Sequence, residues 1–305
     1  MAERLYDILR MIDNDCFERG VKAYNDGNYD LAFQCFEQAA QWEDAGAAQY
    51  NVALMYLKGE GIEQNSKKAV EWFTKSEKQG IVSAQYMLGE CYYFGNGVPQ
   101  DYKEAVSWYK KAIEHGDARA QYSLGYCYEN GLGVDTNYAD AVRCYIRAAG
   151  KKHADAAYRL SQCFVKARGV EFDYEYYKKY LHDAAEFGSI KAMVELGNSK
   201  MRQGDYETAV KWFQKAADKG DAQAQYKLGV CCETYSYTIR DNYQAFKWYY
   251  KSAKQGYDPA QLKLGGLYYR GIGVEKDKSE GIKWMKQAAA QGNEEAIKAL
   301  QTWCY

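Results

Sequence analysis

The chain has 305 residues, of which 47% are apolar, 27% charged and 16% aromatic, and 40 basic against 41 acidic side chains leave a net charge of −1. That apolar content supports a core and excludes a disordered chain, while the balanced charge lacks the basic excess that phosphate-backbone binding requires, so nucleic acid is not an expected partner. No apolar run reaches membrane-spanning length, so no membrane partner is expected either. In chain order, residues 1–14 carry a charge every few positions, contain no apolar stretch of signal-peptide type, and are predicted to form an N-terminal capping helix. Residues 15–46 follow as a helical hairpin with Gly20, Tyr24, Ala32 and Phe36 in its packing slots and a short turn at Gly27-Asn28.

From there the sequence repeats. Ala48, Ala84, Ala120, Ala156, Ala192, Ala224, Ala260 and Ala296 recur at steps of 36 residues, with one step of 32. Four positions after each alanine up to Ala260 stands Val52 or a leucine, five positions after it stands Ala53, Ser161 or a glycine, and the eighth position is mostly aromatic. These offsets make one stripe of a 3.6-residue helix, called helix A here. A glycine turn follows, Gly59-Glu-Gly61 in the first unit and Gly95-Asn-Gly97 in the second, whose first glycine suits the left-handed cap of a helix end. A second stripe, helix B, carries Ala69, Ala105, Ala141, Ala209 and Ala245, then Trp72, Trp108, Trp212, Trp248 and Trp284, and ends at glycines such as Gly80 and Gly116. The tryptophans, Trp108 among them, are expected in the core. A hairpin of this kind leaves one face unburied and is stable only when stacked on its neighbours.

Two units depart from the pattern. The turn after Ala156 reads Val165-Lys-Ala-Arg-Gly-Val-Glu-Phe-Asp173 and runs into a tyrosine-rich helix with Tyr180 in the tryptophan slot. The turn after Ala224 has Thr234-Tyr-Ser-Tyr-Thr-Ile239 in place of Gly-x-Gly. The unit starting at Ala192 is shortened to Gly204-Asp205, and residues 294–305 are predicted to be a C-terminal cap.

The segment from Ala84 through Leu88-Gly89, Tyr92, Gly95-Asn-Gly97, Asp101 and Trp108 to Ala112 resembles the Sel1-like repeat, a relative of the tetratricopeptide repeat, and the likeness recurs over residues 47–293. Residues 15–46 are more similar to a unit of plain tetratricopeptide type. The resemblance implies an all-α fold, a right-handed α/α superhelix of about eight hairpins in a single array over 1–305. It also implies that the A helices line a concave face.

The usual catalytic constellations are missing from the sequence. His115, His153 and His182 lack metal-type spacing and read as solvated, and the Gly-x-Gly turns have neither the preceding strand nor the following Gly-Lys-Ser/Thr of a phosphate loop. Among the nine cysteines, Cys91, Cys127, Cys163 and Cys231 share a slot with Met55 and Leu267, and Cys35 and Cys144 share the tryptophan slot, so all read as small core residues. One pair, Cys127 with Cys144, falls on the two helices of one unit and is the candidate bridge. The odd count favours reduced thiols and a cytoplasmic setting. No cofactor or metal is expected, and a monomer is the default.

The function this reading supports is a non-catalytic scaffold or adaptor that holds a peptide or helix of a partner protein. A secreted or translocated bacterial factor engaging host proteins is the alternative, and an unrecognised hydrolase a distant third. On the face that the resemblance turns inward, the candidate contact residues are Tyr86, Glu90, Tyr93, Phe94, Tyr122, Tyr126 and Glu129, with Lys166, Arg202 and Arg270 offering charge to an acidic segment. Tyrosine suits recognition because it brings rigid area and a polar tip. For Tyr86 and Tyr122 the sequence leaves packing and binding both open.

Overall fold

The computed structural model of the chain describes residues 15–42, 45–234 and 241–303, and these hold seventeen helices and no strand. The predicted cap at 1–14 and the turn after Thr234 lie outside the described residues. The chain divides into two compact units, one reaching to Tyr174 and the other running from Glu175.

The first unit contains α1 (15–25), α2 (Tyr29–Ala39), α3 (Gly46–Lys58), α4 (Ser66–Lys78), α5 (Val82–Phe94), α6 (Tyr102–Glu114), α7 (Ala118–Asn130), α8 (Tyr138–Gly150) and α9 (Ala154–Lys166). The second contains α10 (Tyr174–Glu186, which begins at the boundary), α11 (Ile190–Arg202), α12 (Tyr206–Asp218), α13 (Ala222–Thr234), α14 (Asn242–Lys254), α15 (Asp258–Arg270), α16 (Lys278–Ala290) and α17 (Glu294–Trp303). From α2 to α9 in the first unit, and from α11 to α17 in the second, each helix packs against the next.

The local sequence sets each helix end. Asparagine or aspartate precedes the B helices, and Asn65, Asp101, Asn137, Asp205, Asp241 and Asp277 each accept a hydrogen bond from an N–H of the first turn. Such a cap contributes about 1 kcal/mol. The A helices α3, α5, α7 and α15 end in a left-handed glycine, Gly59, Gly95, Gly131 and Gly271. In the divergent unit Ala167 takes the same conformation, with φ 52°. The second turn glycine has a separate task. A Cβ on Gly61, Gly97, Gly133 or Gly273 would lie 2.1–2.2 Å from the backbone oxygen of Tyr29, Ser66, Tyr102 or Asn242, the first residue of the B helix of the preceding repeat. Gly169 makes the same approach to Tyr138, which explains why it persists in a turn that has lost its first glycine.

The core differs from the sequence expectation by one residue. Trp108 is only half-buried, with the Lys111 ammonium 3.8 Å above its ring. The fully buried anchor of α6 is its neighbour Tyr109, and Phe73, Tyr145, Phe213 and Tyr249 fill the same position in α4, α8, α12 and α14. The reason is steric fit. That position faces the small residue five places after the repeat alanine, and a Cβ on Gly89, Gly125, Gly197 or Gly229 would meet the ring at 2.5–2.7 Å. Trp72, Trp108 and Trp248, one position round the helix, cover the edge of the core and keep a lysine on the open face, whereas Trp212 is buried as expected.

Candidate partner-binding site

Helices α5, α6 and α7 build an aromatic concavity in the first unit. Because Gly89 has no side chain, the Tyr109 ring packs closely against α5 and its hydroxyl reaches Glu90, donating to Oε1 at 2.6 Å. Burial first, and the Glu90 carboxylate second, push this phenol far above the ordinary range, so it stays a proton donor at every physiological pH. From α7 the Ser123 hydroxyl approaches the same carboxylate oxygen at 3.4 Å. Tyr86, Tyr93 and Phe94 from α5 and Tyr122 and Tyr126 from α7 wall a pocket of about 320 Å3 over this floor. Tyr93 is held edge-on between Phe94, at 4.8 Å, and Tyr102, at 5.2 Å, and burial raises its phenol to about 12. Phe94 is 60% exposed.

Six of the ten candidate residues therefore meet in one place: Tyr86, Glu90, Tyr93, Phe94, Tyr122 and Tyr126. Glu129 does not line the pocket; it accepts from the Tyr145 hydroxyl at 2.7 Å and pairs with Arg159 at 3.5 Å. Lys166, Arg202 and Arg270 are exposed at the ends of three different helices, α9, α11 and α15. Two lining residues escaped the sequence reading, Tyr109 and Ser123. The pairing of a glycine on helix A with an aromatic 20 residues later on helix B was the signal for Tyr109. Ser123 carried no signal of its own type.

The histidine reading needs one correction. His153 is half-buried rather than solvated: it caps α9 by accepting from the Ala156 N–H at 3.2 Å and stacks on Tyr122 at 4.9 Å. Burial, the largest influence, lowers its pKa. Among the described residues no group of three or more His, Cys, Asp or Glu is placed to hold a metal ion, and no helix is long and apolar enough to cross a membrane.

Cys127 and Cys144 are both free thiols, and Cys91, Cys127, Cys163 and Cys231 are buried. Burial pushes Cys91 and Cys127 up to about 12, which suppresses the reactive thiolate. The folded protein is expected to react slowly with a thiol reagent at pH 8, and the unfolded, unreduced protein to titrate all nine cysteines. Seven or fewer would show a native disulfide.

A profile of the Sel1 repeat matches residues 15–41, 46–81, 82–117, 118–153, 191–221, 222–257 and 258–293. The chain belongs to the Sel1 repeat family. The first hairpin, expected to be of plain tetratricopeptide type, is thus a Sel1 repeat as well, whereas residues 154–190, which hold α9 and α10, escape the profile. A Sel1 repeat protein from Oxalobacter formigenes has a similar structure, with a TM-score of 0.68 and 27% identity over 98% of this chain and 90% of the other. So does c5321, a protective antigen of uropathogenic Escherichia coli, with a TM-score of 0.59 and 28% identity over 94% of this chain and 71% of the other. Yeast Tom70, with a TM-score of 0.51 and 13% identity over 95% of this chain and 64% of the other, shares the fold alone. Among curated proteins, the rat and mouse DAP3-binding cell death enhancer 1 are 48% identical over 46 residues, which is 15% of this chain and 9% of theirs. Sel1 repeats belong with the tetratricopeptide-like solenoids, which generally mediate contacts between proteins.

Proposed function

We propose that this Sel1 repeat protein is a non-catalytic scaffold that holds an extended segment or a helix of a partner protein against α5 and α7. The observation that carries the reading is the pocket of about 320 Å3 walled by five aromatic side chains, with Phe94 at its rim 60% exposed. Aromatic anchors in a concavity of this kind are the residues that concentrate binding energy at protein interfaces. Cysteines used as buried apolar side chains support a reducing, cytoplasmic setting.

The test separates binding from folding. Peptides selected from a displayed library on the wild-type chain are measured against a variant carrying Tyr93→Ala, Phe94→Ala and Tyr126→Ala. The variant is expected to keep its melting temperature within a few degrees and to lose most affinity, since each anchor contributes on the order of 2 kcal/mol. Undiminished binding by a variant that folds normally would place recognition elsewhere.

A further inference from the structure

The repeats carry an internal comparison. In three units the tyrosine 25 residues after the repeat alanine donates its hydroxyl to a carboxylate on the A helix of its own hairpin: Tyr109 to Glu90 at 2.6 Å, Tyr145 to Glu129 at 2.7 Å and Tyr249 to Glu233 at 2.9 Å. Glu129 and Glu233 stand nine residues after the repeat alanine and Glu90 six, one turn earlier on its A helix. A half-buried carboxylate costs free energy unless a cation and further hydrogen bonds compensate it. In two of the units the next repeat supplies that cation from the third position after its alanine. Arg159, following Ala156, reaches Glu129 at 3.5 Å, and Lys263, following Ala260, reaches Glu233 at 3.1 Å.

In the remaining unit the same position, third after Ala120, is Ser123. It offers Glu90 only a hydroxyl, at 3.4 Å, and among the described residues no lysine, arginine or histidine forms an ion pair with Glu90. Around the carboxylate lies the pocket, and Glu90 is the one charged residue lining it. The two arginines nearby are already committed. Arg119 lies over the Tyr86 ring at 4.5 Å and pairs with Asp117 at 2.6 Å, and Arg159 lies over Tyr126 at 5.1 Å and pairs with Glu129. Neither is part of the pocket lining. Both show that tyrosines of this wall hold guanidinium groups on their faces.

We infer that the pocket between α5 and α7 receives a basic side chain, an arginine or lysine of the partner, which gives the tyrosine-bound carboxylate of this unit the cation that Arg159 and Lys263 give to those of the sibling repeats. The carboxylate of Glu90, oriented by the Tyr109 hydroxyl, neutralises the incoming charge, and Tyr86, Tyr93, Tyr122, Tyr126 and Phe94 surround its stem and face. This rests on the protein-binding reading above and names the chemistry that the partner must bring.

The test uses Nα-acetyl-arginine amide and its uncharged near-isostere Nα-acetyl-citrulline amide as probes on the full chain, with binding followed by saturation-transfer NMR. Wild-type protein is expected to prefer the arginine probe at least tenfold. Glu90→Gln keeps an acceptor for Tyr109 and is expected to lose that preference while the melting temperature stays close to wild type. Ser123→Arg imports the sibling residue; it is expected to raise the melting temperature and abolish binding of the arginine probe. Equal binding of the two probes to wild type, or undiminished arginine binding by Ser123→Arg, overturns the inference. Selected peptides that need Phe94 yet carry no basic residue also overturn it and leave the scaffold reading standing. Arginine discrimination with no peptide captured supports the cation pocket and removes the protein-binding reading.

Discussion

Replacing Tyr109 with alanine is expected to lower stability by about 3–5 kcal/mol, the range for deleting a fully buried aromatic. The ring is 0% exposed and fills the space left by Gly89, so its loss opens a cavity between α5 and α6 rather than a dent at the surface. Tyr109→Phe keeps the ring and removes only the hydroxyl, leaving Glu90 without its shortest hydrogen bond, and is expected to cost about 1–2 kcal/mol. Trp108→Ala, one residue away, is expected to cost about 2 kcal/mol because the indole is only half-buried. Chemical denaturation of the three variants checks the order. If Trp108→Ala proved the most damaging, the anchor of the B helix would be the tryptophan after all.

Gly97→Ala is expected to be comparably severe, at about 3–4 kcal/mol, the upper part of what single substitutions cost. Two effects add. With φ +79°, alanine at this position carries the left-handed penalty of about 1–2 kcal/mol. Its Cβ would also fall 2.2 Å from the Ser66 backbone oxygen, a clash that no side-chain rotation relieves. Gly80→Ala isolates the first effect, because Gly80 has φ +78° but nothing within 4 Å of an added Cβ. That variant is expected to lose only about 1–2 kcal/mol. The reverse change, Ala167→Gly, relieves a left-handed alanine and is expected to gain up to about 1 kcal/mol. Melting curves of the three proteins settle the comparison; equal losses at Gly97 and Gly80 would mean that the contact with Ser66 is not tight.

The helix order was legible from the alanine spacing because the repeat alanines hold one fixed core position in successive A helices. Ala84, Ala120, Ala156, Ala192, Ala224 and Ala260 are all fully buried. The core tyrosine was harder to see. Tryptophan is the bulkiest residue of the B stripe and draws the eye, but burial is decided by what faces it, and that information lies 20 residues upstream in Gly89 or Gly125. Phe94 and Tyr93 could be placed beside Tyr126 because both lie just off a regular stripe in consecutive repeats. Glu90 and Glu129 stand at different positions of their A helices, six and nine residues after the repeat alanine, yet each accepts from the core tyrosine of its own hairpin; what faces them from the following repeat is Ser123 in one case and Arg159 in the other. Such a difference becomes visible only when the repeats are compared with one another at the level of contacts.

The approach of each second turn glycine to the first carbonyl of the preceding B helix has a further consequence. It is a joint between main chains, so the spacing from one hairpin to the next owes little to the identity of surrounding side chains. A residue on an exposed or pocket-lining face can therefore change without shifting its neighbours, much as a tool head can be exchanged on a fixed handle. The replacement of Arg159-type cations by Ser123 is one such exchange. It alters what a repeat offers to another molecule at the cost of one ion pair between side chains of successive repeats, while the main-chain joint at the second turn glycine stays in place.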